Sequence, residues 1–211
     1  MKKKKVGIMG GTFDPIHIGH LILAESAYQQ FGLDHVLFMP SGNPPHKQHR
    51  DGRATNDQRV EMVRLAIETN PHFRLSLEEM HEMGYIYTSH TLQRLKERQP
   101  DTEYYFIMGA DSMLYFDTWH EPQQICDRCV LVVAVRDHMR QEEMDAKMEE
   151  LRTVFHADFR KLSTLNIDIS SHMLREWIAE GRSCRYYLPD PVIDYIQTGG
   201  IYRCMTEERL T

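Results

Sequence analysis

The sequence predicts an α/β fold: a doubly wound, mainly parallel β-sheet with helices on both faces and a small helical part at the C-terminus. Two observations lead to this fold class. Short apolar runs that lack alternating polar positions recur along the chain, as expected for strands covered on both faces. Segments with helical periodicity lie between these runs, and an alternation of strand and helix indicates a parallel sheet.

Five mostly apolar runs are interpreted as strands: residues 6–9, 35–39, 73–77, 104–108 and 130–135. Five segments have the helical period: residues 21–31, 57–69, 88–98, 121–126 and 141–155. The boundary residues agree with this division. Gly32 ends the first helix, Asn56 is placed to cap the second, and Pro71 and Pro100 follow helices.

The chain changes character after residue 155. Residues 158–168 predict one or two short strands, and helices over residues 171–180 and 191–197 follow. We expect residues 1–211 to form a single domain, with a helical portion from about residue 169 packed on it. The one long loop, residues 41–56, is rich in Pro, Gly, His and basic residues. A loop of this kind usually takes part in ligand binding.

Composition limits the partners. The chain has 25 Lys and Arg against 31 Asp and Glu, a net charge of −6, which argues against a surface that binds the nucleic-acid backbone. The longest apolar run, residues 130–135, is far shorter than the roughly 18 residues that span a membrane. Among four cysteines only Cys126 and Cys129 form a CxxC pair. We therefore expect a cytoplasmic protein with no metal site and no nucleic-acid or membrane partner.

The strongest functional signal is the segment from Gly10 to His20, GGTFDPIHIGH, which joins the first strand to an apolar helix. Gly10 and Gly11 let the backbone turn tightly and approach a phosphate, and Thr12 offers a hydroxyl. His17 and His20 are three residues apart, so both imidazoles face one side of the first helical turn. The helix N-terminus adds free N–H groups and a positive dipole end. The segment predicts an anion-binding site.

The segment does not match two common phosphate-binding loops. It is not a P-loop, because the GxxxxGK[ST] lysine is missing, and it is not GxGxxG. A structural turn with an Asp14 cap, Pro15 near the first turn and two exposed histidines is the alternative. Gly19 leaves room for a bulky ligand against the backbone.

The segment resembles the TFDPxHxGH signature of the nucleotidyltransferase branch of the HIGH superfamily. Class I aminoacyl-tRNA synthetases share the HIGH tetrapeptide, but they are normally much longer and carry a KMSKS loop that residues 161–164 do not match. Residues 169–175, ISSHMLR, are similar to the ISSTxxR element of the same branch, with His172 in place of the threonine. The resemblance implies a Rossmann-like fold.

In the second element, Ser171 and Arg175 lie four residues apart at a helix start. A hydroxyl, free N–H groups and a guanidinium can therefore converge on phosphate oxygens. A serine N-cap followed by a surface arginine is the alternative. With the first motif, the resemblance implies an ATP site made of Gly10, Gly11, Thr12, Phe13, Gly109, Asp111, Ser170 and Ser171.

Further stretches resemble the bacterial nicotinate-nucleotide adenylyltransferases: residues 44–47, 87–92, 108–111, Trp119 and 187–202. The resemblance covers nearly the whole chain. Pantetheine-phosphate adenylyltransferases, the nearest alternative, are shorter and lack the region of Trp119. The resemblance implies that the nucleotide substrate contacts His46, Lys47, Tyr87, Thr88, Trp119, His120 and Arg136.

Some of these implied roles have a physical reason. The indole of Trp119 can stack on a pyridine ring, and core packing is the alternative. The resemblance implies that the nicotinate carboxylate lies near the backbone N–H groups of Thr88 and His120. The family usually has tyrosine at the position of His120. Backbone donors prefer a carboxylate to a carboxamide, so the resemblance implies the deamido substrate.

The implied activity is adenylyl transfer from ATP to nicotinate mononucleotide in NAD biosynthesis, with release of pyrophosphate. His17, His20 and Arg175 are the candidate catalytic residues, because they can stabilise the developing phosphate charge. Mg²⁺ is expected to arrive with ATP. Three alternatives stay open: transfer to phosphopantetheine, transfer to nicotinamide mononucleotide, and a non-catalytic nucleotide sensor. A homo-oligomer is a further expectation.

Overall fold

The computed structural model of the chain describes residues 3–42, 52–80, 85–134, 141–165 and 167–203. These residues form one six-stranded sheet in the order β3-β2-β1-β4-β5-β6, in which every neighbouring pair is parallel. The strands are β1 (Lys5–Gly11), β2 (His35–Pro40), β3 (Phe73–Leu75), β4 (Glu103–Gly109), β5 (Cys129–Ala134) and β6 (Phe159–Leu162). The parallel α/β fold predicted from the sequence is confirmed.

Helices cover both faces of the sheet, as predicted. They are α1 (Ile18–Phe31), α2 (Asn56–Ile67), α3 (Thr88–Arg98), α4 (Ala110–Leu114), α5 (Pro122–Cys126), α6 (Gln141–Phe155), α7 (Ser171–Ala179) and α8 (Asp190–Thr198). Helices α1, α2, α7 and α8 bury apolar side chains against one face, and α3 to α6 bury theirs against the other. Successive strand residues alternate between the two cores, so that Tyr105 faces the first and Phe106 the second.

The C-terminal helices share a core with the helices of the N-terminal half. Leu174 of α7 and Val192 and Ile196 of α8 belong to the same buried cluster as Met62 and Val63 of α2. No helix in the described part of the chain combines the length and the apolar character that crossing a membrane requires.

Several element boundaries differ from the sequence-based expectation. Asn56 does not cap α2, because Thr55 is the N-cap and exchanges hydrogen bonds with Gln58 in a capping box. Helix α4 and a 3₁₀ helix over Phe116–Thr118 were not predicted, so Trp119 follows a helical turn rather than a strand. Residues 158–168 contain one strand, β6, within their described part.

The strand order determines where a ligand can bind. The chain winds outward in one direction from β1 and in the other from β4, so β1 and β4 are neighbours at the switch point. In open α/β sheets, ligands bind at the carboxyl ends of the strands at this point. Gly11 ends β1 and Gly109 ends β4, so the predicted nucleotide motif lies at the expected edge of the sheet.

His35, the first residue of β2, predicts acid sensitivity of the fold. Its imidazole is 5% exposed, and burial lowers its pKa to about 4, helped by the positive charges of Arg74 and Lys4. The unfolded chain binds this proton at a pKa of about 6.5. The contribution of neutral His35 to stability is therefore complete above about pH 6.5 and is lost as the pH falls towards 4.

We expect His35→Gln, which cannot take up the proton, to have a smaller drop in melting temperature between pH 7 and pH 4.5 than the unsubstituted chain. Thermal unfolding followed by circular dichroism across this range tests the expectation. Parallel curves for the two proteins would show that His35 does not drive the loss of stability.

Candidate functional site

Two clefts open at the carboxyl edge of the sheet, on either side of the end of β1. The first has a volume of about 630 Å³ and the second about 940 Å³. Both clefts are lined by Gly10, Gly11, Thr12, Phe106, Ser112 and Trp119. The end of β1 is therefore the wall between two binding spaces.

The predicted site residues divide between these clefts. The first cleft is lined by Gly10, Gly11, Thr12, Phe13, His17, His20, Gly109, Ser171 and Arg175. The second is lined by Tyr87, Thr88, Asp111, Trp119 and His120, together with the end of β1. Gly109 and Asp111 were both expected in the ATP site, and they line different clefts. His46, Lys47 and Arg136 lie outside the described residues.

Only one glycine at the tight turn after β1 is needed for space, because a Cβ on Gly11 would lie 3.2 Å from the Phe13 ring. Gly10 and Gly11 are the last two residues of the strand, and the left-handed residue is Phe13, with φ 50°. Phe13 is buried and packs edge-on against His20, with ring centroids 5.0 Å apart. A Cβ on Gly10 would meet the Phe106 ring at an ordinary 3.7 Å. The absence of a side chain at Gly10 thus leaves the backbone open to a ligand rather than relieving a clash.

The two imidazoles of the HIGH motif lie on one side of α1, as predicted. The rings of His17 and His20 stack with centroids 3.7 Å apart. The backbone N–H of His17 donates to Nδ1 of His20 at 3.2 Å. Because Nδ1 accepts this bond, the proton of a neutral His20 is carried on Nε2. A Cβ on Gly19 would lie 3.0 Å from the His17 ring, so Gly19 makes room for that imidazole.

The N-terminus of α1 has fewer available donors than predicted. The N–H of Ile18 donates to the carbonyl oxygen of Tyr187 at 2.9 Å, and the N–H of His20 donates to that of His17 at 2.9 Å. These groups are already satisfied inside the protein. At this terminus the dipole and the two imidazoles therefore offer more to an anion than free N–H groups do.

The second motif docks on the first. The hydroxyl of Ser171 donates to the carbonyl oxygen of Pro15 at 2.8 Å, and Nη1 of Arg175 donates to that of Asp14 at 2.5 Å. Both side chains line the first cleft. Ser170 lines neither cleft. Its hydroxyl accepts from the N–H of Met173 at 3.2 Å, so Ser170 is the serine N-cap that the sequence offered as the alternative. His17, His20 and Arg175 therefore line one cleft, and their catalytic role stays a prediction.

Asp14 connects the site to distant parts of the chain. Its carboxylate is 2% exposed and accepts from the Tyr202 hydroxyl at 2.7 Å, the Ala54 N–H at 3.2 Å and Nη1 of Arg53 at 3.2 Å. Burial, followed by the negative charge of Asp14, raises the pKa of Tyr202, so Tyr202 keeps its proton for this bond. The sequence alone indicates only a helix-capping role for Asp14.

Arg59 is a second buried group that the sequence analysis missed. Its guanidinium donates to the carbonyl oxygens of Thr12 at 2.6 Å and Ser41 at 2.8 Å, which joins the loops after β1 and β2. Burial lowers its pKa. A signal was present in the sequence, because Arg59 lies on the apolar stripe of α2 with Met62, Val63 and Ala66, at i, i+3, i+4 and i+7.

Aromatic rings line the second cleft. The rings of Tyr87 and His120 lie 4.1 Å apart between centroids. Trp119 is half-buried, packs against Phe106 and Phe116, and lines both clefts. Trp119 is therefore partly packed in the core and also lines the clefts, and its stacking on a ligand stays a prediction.

The fold and the site place the chain in the class of α/β proteins that bind a nucleotide at the switch point of a parallel sheet. A family model described as cytidylyltransferase-like matches residues 8–177. A probable nicotinate-nucleotide adenylyltransferase of Lachnoclostridium phytofermentans is 42% identical over 94% of this chain and 99% of its own length. A relative of the same name from Thermoanaerobacter is 39% identical over 96% of each chain.

A solved structure has the same fold. Nicotinic acid mononucleotide adenylyltransferase of Plasmodium falciparum, complexed with NaAD, superposes with a TM-score of 0.75 at 21% identity and covers 94% of this chain and 97% of its own. The chain belongs to the nicotinate-nucleotide adenylyltransferase family, within the cytidylyltransferase-like proteins.

Proposed function

We propose that the protein transfers the adenylyl group of ATP to nicotinate mononucleotide, forming nicotinate adenine dinucleotide and releasing pyrophosphate. Membership of the nicotinate-nucleotide adenylyltransferase family supports this reaction. The activity is a nucleotidyl transfer in NAD biosynthesis.

One observation supports it most directly: two clefts meet at the end of β1. The reaction joins two anionic substrates, so the phosphate of one must reach the α-phosphorus of the other. The first cleft has the imidazoles and Arg175, and the second has the aromatic rings of Tyr87 and Trp119. We propose that one substrate binds in each cleft and that their phosphates meet at Gly10 to Thr12, which lines both clefts. Holding both reactants in this geometry supplies much of the rate enhancement.

The reaction needs charge stabilisation more than proton transfer. A phosphate oxygen of nicotinate mononucleotide attacks the α-phosphorus of ATP, the bond to the bridging oxygen breaks, and pyrophosphate leaves with the electron pair. The attacking phosphate is ionised at neutral pH, so no side-chain base is required. The Nε2–H of His20, the imidazole of His17 and the guanidinium of Arg175 are the proposed donors to the developing charge.

The residues of the first cleft also indicate how a metal takes part. Within its described lining the only carboxylate is Asp14, which already accepts bonds from Tyr202, Ala54 and Arg53. The chain therefore provides no carboxylate cage there. We propose that Mg²⁺ enters as part of the ATP substrate, held by phosphate oxygens and water, where it offsets phosphate charge.

The remaining assignments extend the same proposal. The nicotinate carboxylate is proposed to bind near the backbone of Thr88 and His120, which selects the acid over the amide. Ser170 and Asp111 keep their proposed places in ATP binding, and His46, Lys47 and Arg136 theirs in binding the mononucleotide. We also propose one domain over residues 1–211 and a cytoplasmic location. A homo-oligomer stays a prediction.

A substrate panel tests the proposed function. Pyrophosphate release is measured with MgATP and one acceptor: nicotinate mononucleotide, nicotinamide mononucleotide or phosphopantetheine. We expect the highest kcat/KM with nicotinate mononucleotide. Faster turnover of either other acceptor would assign the enzyme to that alternative. ATP binding without turnover of any acceptor would identify a nucleotide sensor instead.

A further inference from the structure

A cluster of two histidines and one glutamate lies at the rim of the second cleft. Nε2 of His90 and Nε2 of His120 each lie 3.6 Å from Oε2 of Glu121. The three ligand atoms are all within 4.8 Å of one another. The adenylyl-transfer reaction assigns nothing to His90 or to the carboxylate of Glu121. His120 is proposed to bind substrate through its backbone, so the side chains of all three residues have no role in the proposed mechanism.

We propose that His90, His120 and Glu121 form a binding site for a divalent transition-metal ion of the Zn²⁺ type. Imidazole nitrogen and carboxylate oxygen are ligands that such ions prefer, and three protein ligands leave a position open. At metal–ligand distances of about 2.0–2.1 Å, tetrahedral ligand atoms are roughly 3.3 Å apart. The observed separations of 3.6 Å from Glu121 to each imidazole are close to this value.

The backbone holds the three ligands in place. His90 is on the first turn of α3, whereas His120 and Glu121 are on the segment that enters α5. Glu121 is the N-cap of α5 and has φ 51°, a left-handed conformation that is uncommon for a residue with a side chain. Helices α3 and α5 pack together. The ligands therefore come from two packed elements and not from one flexible loop.

The electrostatics of the second cleft favour a cation. Three carboxylates line it, those of Glu79, Asp111 and Glu121, whereas no Lys or Arg is among its described lining residues. The described lining of this cleft is therefore negatively charged, while Lys47 and Arg136, the cations proposed to bind the mononucleotide, lie outside the described residues. A dication at its rim offsets part of that negative charge.

Two other features of the chain provide comparisons. His172 and Glu176 form an exposed pair at 3.4 Å with the same residue types, but in the described ranges no third ligand joins them. The thiols of Cys126 and Cys129 are poor competitors for the metal ion, because burial raises the pKa of Cys126 to about 12 and that of Cys129 further. Thiolate is the form that binds metal.

Calorimetric titration of the untagged chain with Zn²⁺ in the absence of nucleotide tests the site. We expect saturable Zn²⁺ binding. His90→Ala and the nearly isosteric Glu121→Gln should each weaken the affinity at least about tenfold, because even the loss of a residue that only supports a metal ligand has an effect of this size. His172→Ala, the matched control, should bind as the unsubstituted chain does. Circular dichroism of each variant confirms that it is folded.

Cobalt(II) absorption adds a readout of ligand type. Bound Co²⁺ should show the visible bands of a nitrogen and oxygen site, without the near-ultraviolet band of cobalt–thiolate bonds. A strong thiolate band would overturn the proposal. Equal Zn²⁺ affinity of the unsubstituted chain, His90→Ala and His172→Ala would overturn it too, and would leave His90 and His120 as ion-pair partners of Glu121.

A kinetic arm rests on the proposed function. The KM for nicotinate mononucleotide should be lower with Zn²⁺ than with a zinc-selective chelator, and His90→Ala should lose this difference. An equal response of both proteins would contradict a link between metal and cleft. Absence of turnover under every condition would contradict the proposed function instead, because the titration requires no catalysis.

Discussion

His20→Ala is expected to lower kcat by about 10²–10³-fold, the usual effect of removing one preorganised donor to a developing charge. The structure gives His20 two separate contributions. Its Nδ1 accepts from the backbone N–H of His17, and its Nε2–H is proposed to act on the phosphates in the first cleft. The first contribution is structural and is worth about 1 kcal/mol. The loss of rate is expected to come from the second.

His20→Gln separates the two contributions. Glutamine at the third position of a helix can return its side-chain oxygen to the N-cap N–H, so it restores the bond to His17 without an imidazole. We expect it to regain the stability lost in His20→Ala while kcat stays low. Steady-state kinetics and urea unfolding of both variants provide the measurements. Recovery of kcat in His20→Gln would mean that His20 acts only as a cap.

Asp14→Ala is expected to reduce the free energy of unfolding by about 3–5 kcal/mol, the range seen when one partner of a buried ion pair is removed. Its carboxylate is the common acceptor for Tyr202, Ala54 and Arg53. It also lies 3.7 Å from Nη1 of Arg175. Alanine leaves these donors without that acceptor in a buried place, which carries a desolvation penalty.

Tyr202→Phe is the matched control for this substitution. It removes one hydrogen bond to Asp14 and leaves the carboxylate with its other donors, so the expected loss is about 1 kcal/mol. Guanidinium unfolding at pH 7 measures both variants. If Asp14→Ala were no less stable than Tyr202→Phe, the carboxylate would not hold the loops together as the contacts indicate.

The fold and the first cleft were predictable because their signals are local. Runs such as residues 130–135 show burial on both faces by their lack of alternation, and the order of strands and helices then requires a parallel sheet. The HIGH motif places both histidines within one helical turn. Its pairing with Ser171 and Arg175 follows from the family resemblance, and the structure puts both elements around one cleft.

The contacts between distant segments could not be predicted in this way. Asp14 and Tyr202 are 188 residues apart, and no periodicity of either segment indicates the bond. Helix α4 is only five residues long, so it has little helical pattern of its own. The hydrogen bond from the N–H of Ile18 to the carbonyl oxygen of Tyr187 could not be predicted either, because any residue provides a backbone acceptor.

The bond between Asp14 and Tyr202 also concerns the order of events during synthesis. A growing polypeptide acquires the six strands of the described residues by residue 162, and the loop that follows the first strand has been made long before. Tyr202, whose hydroxyl donates to Asp14, is made about forty residues later. A ribosome-bound intermediate can therefore assemble the sheet while its nucleotide pocket is still unfinished.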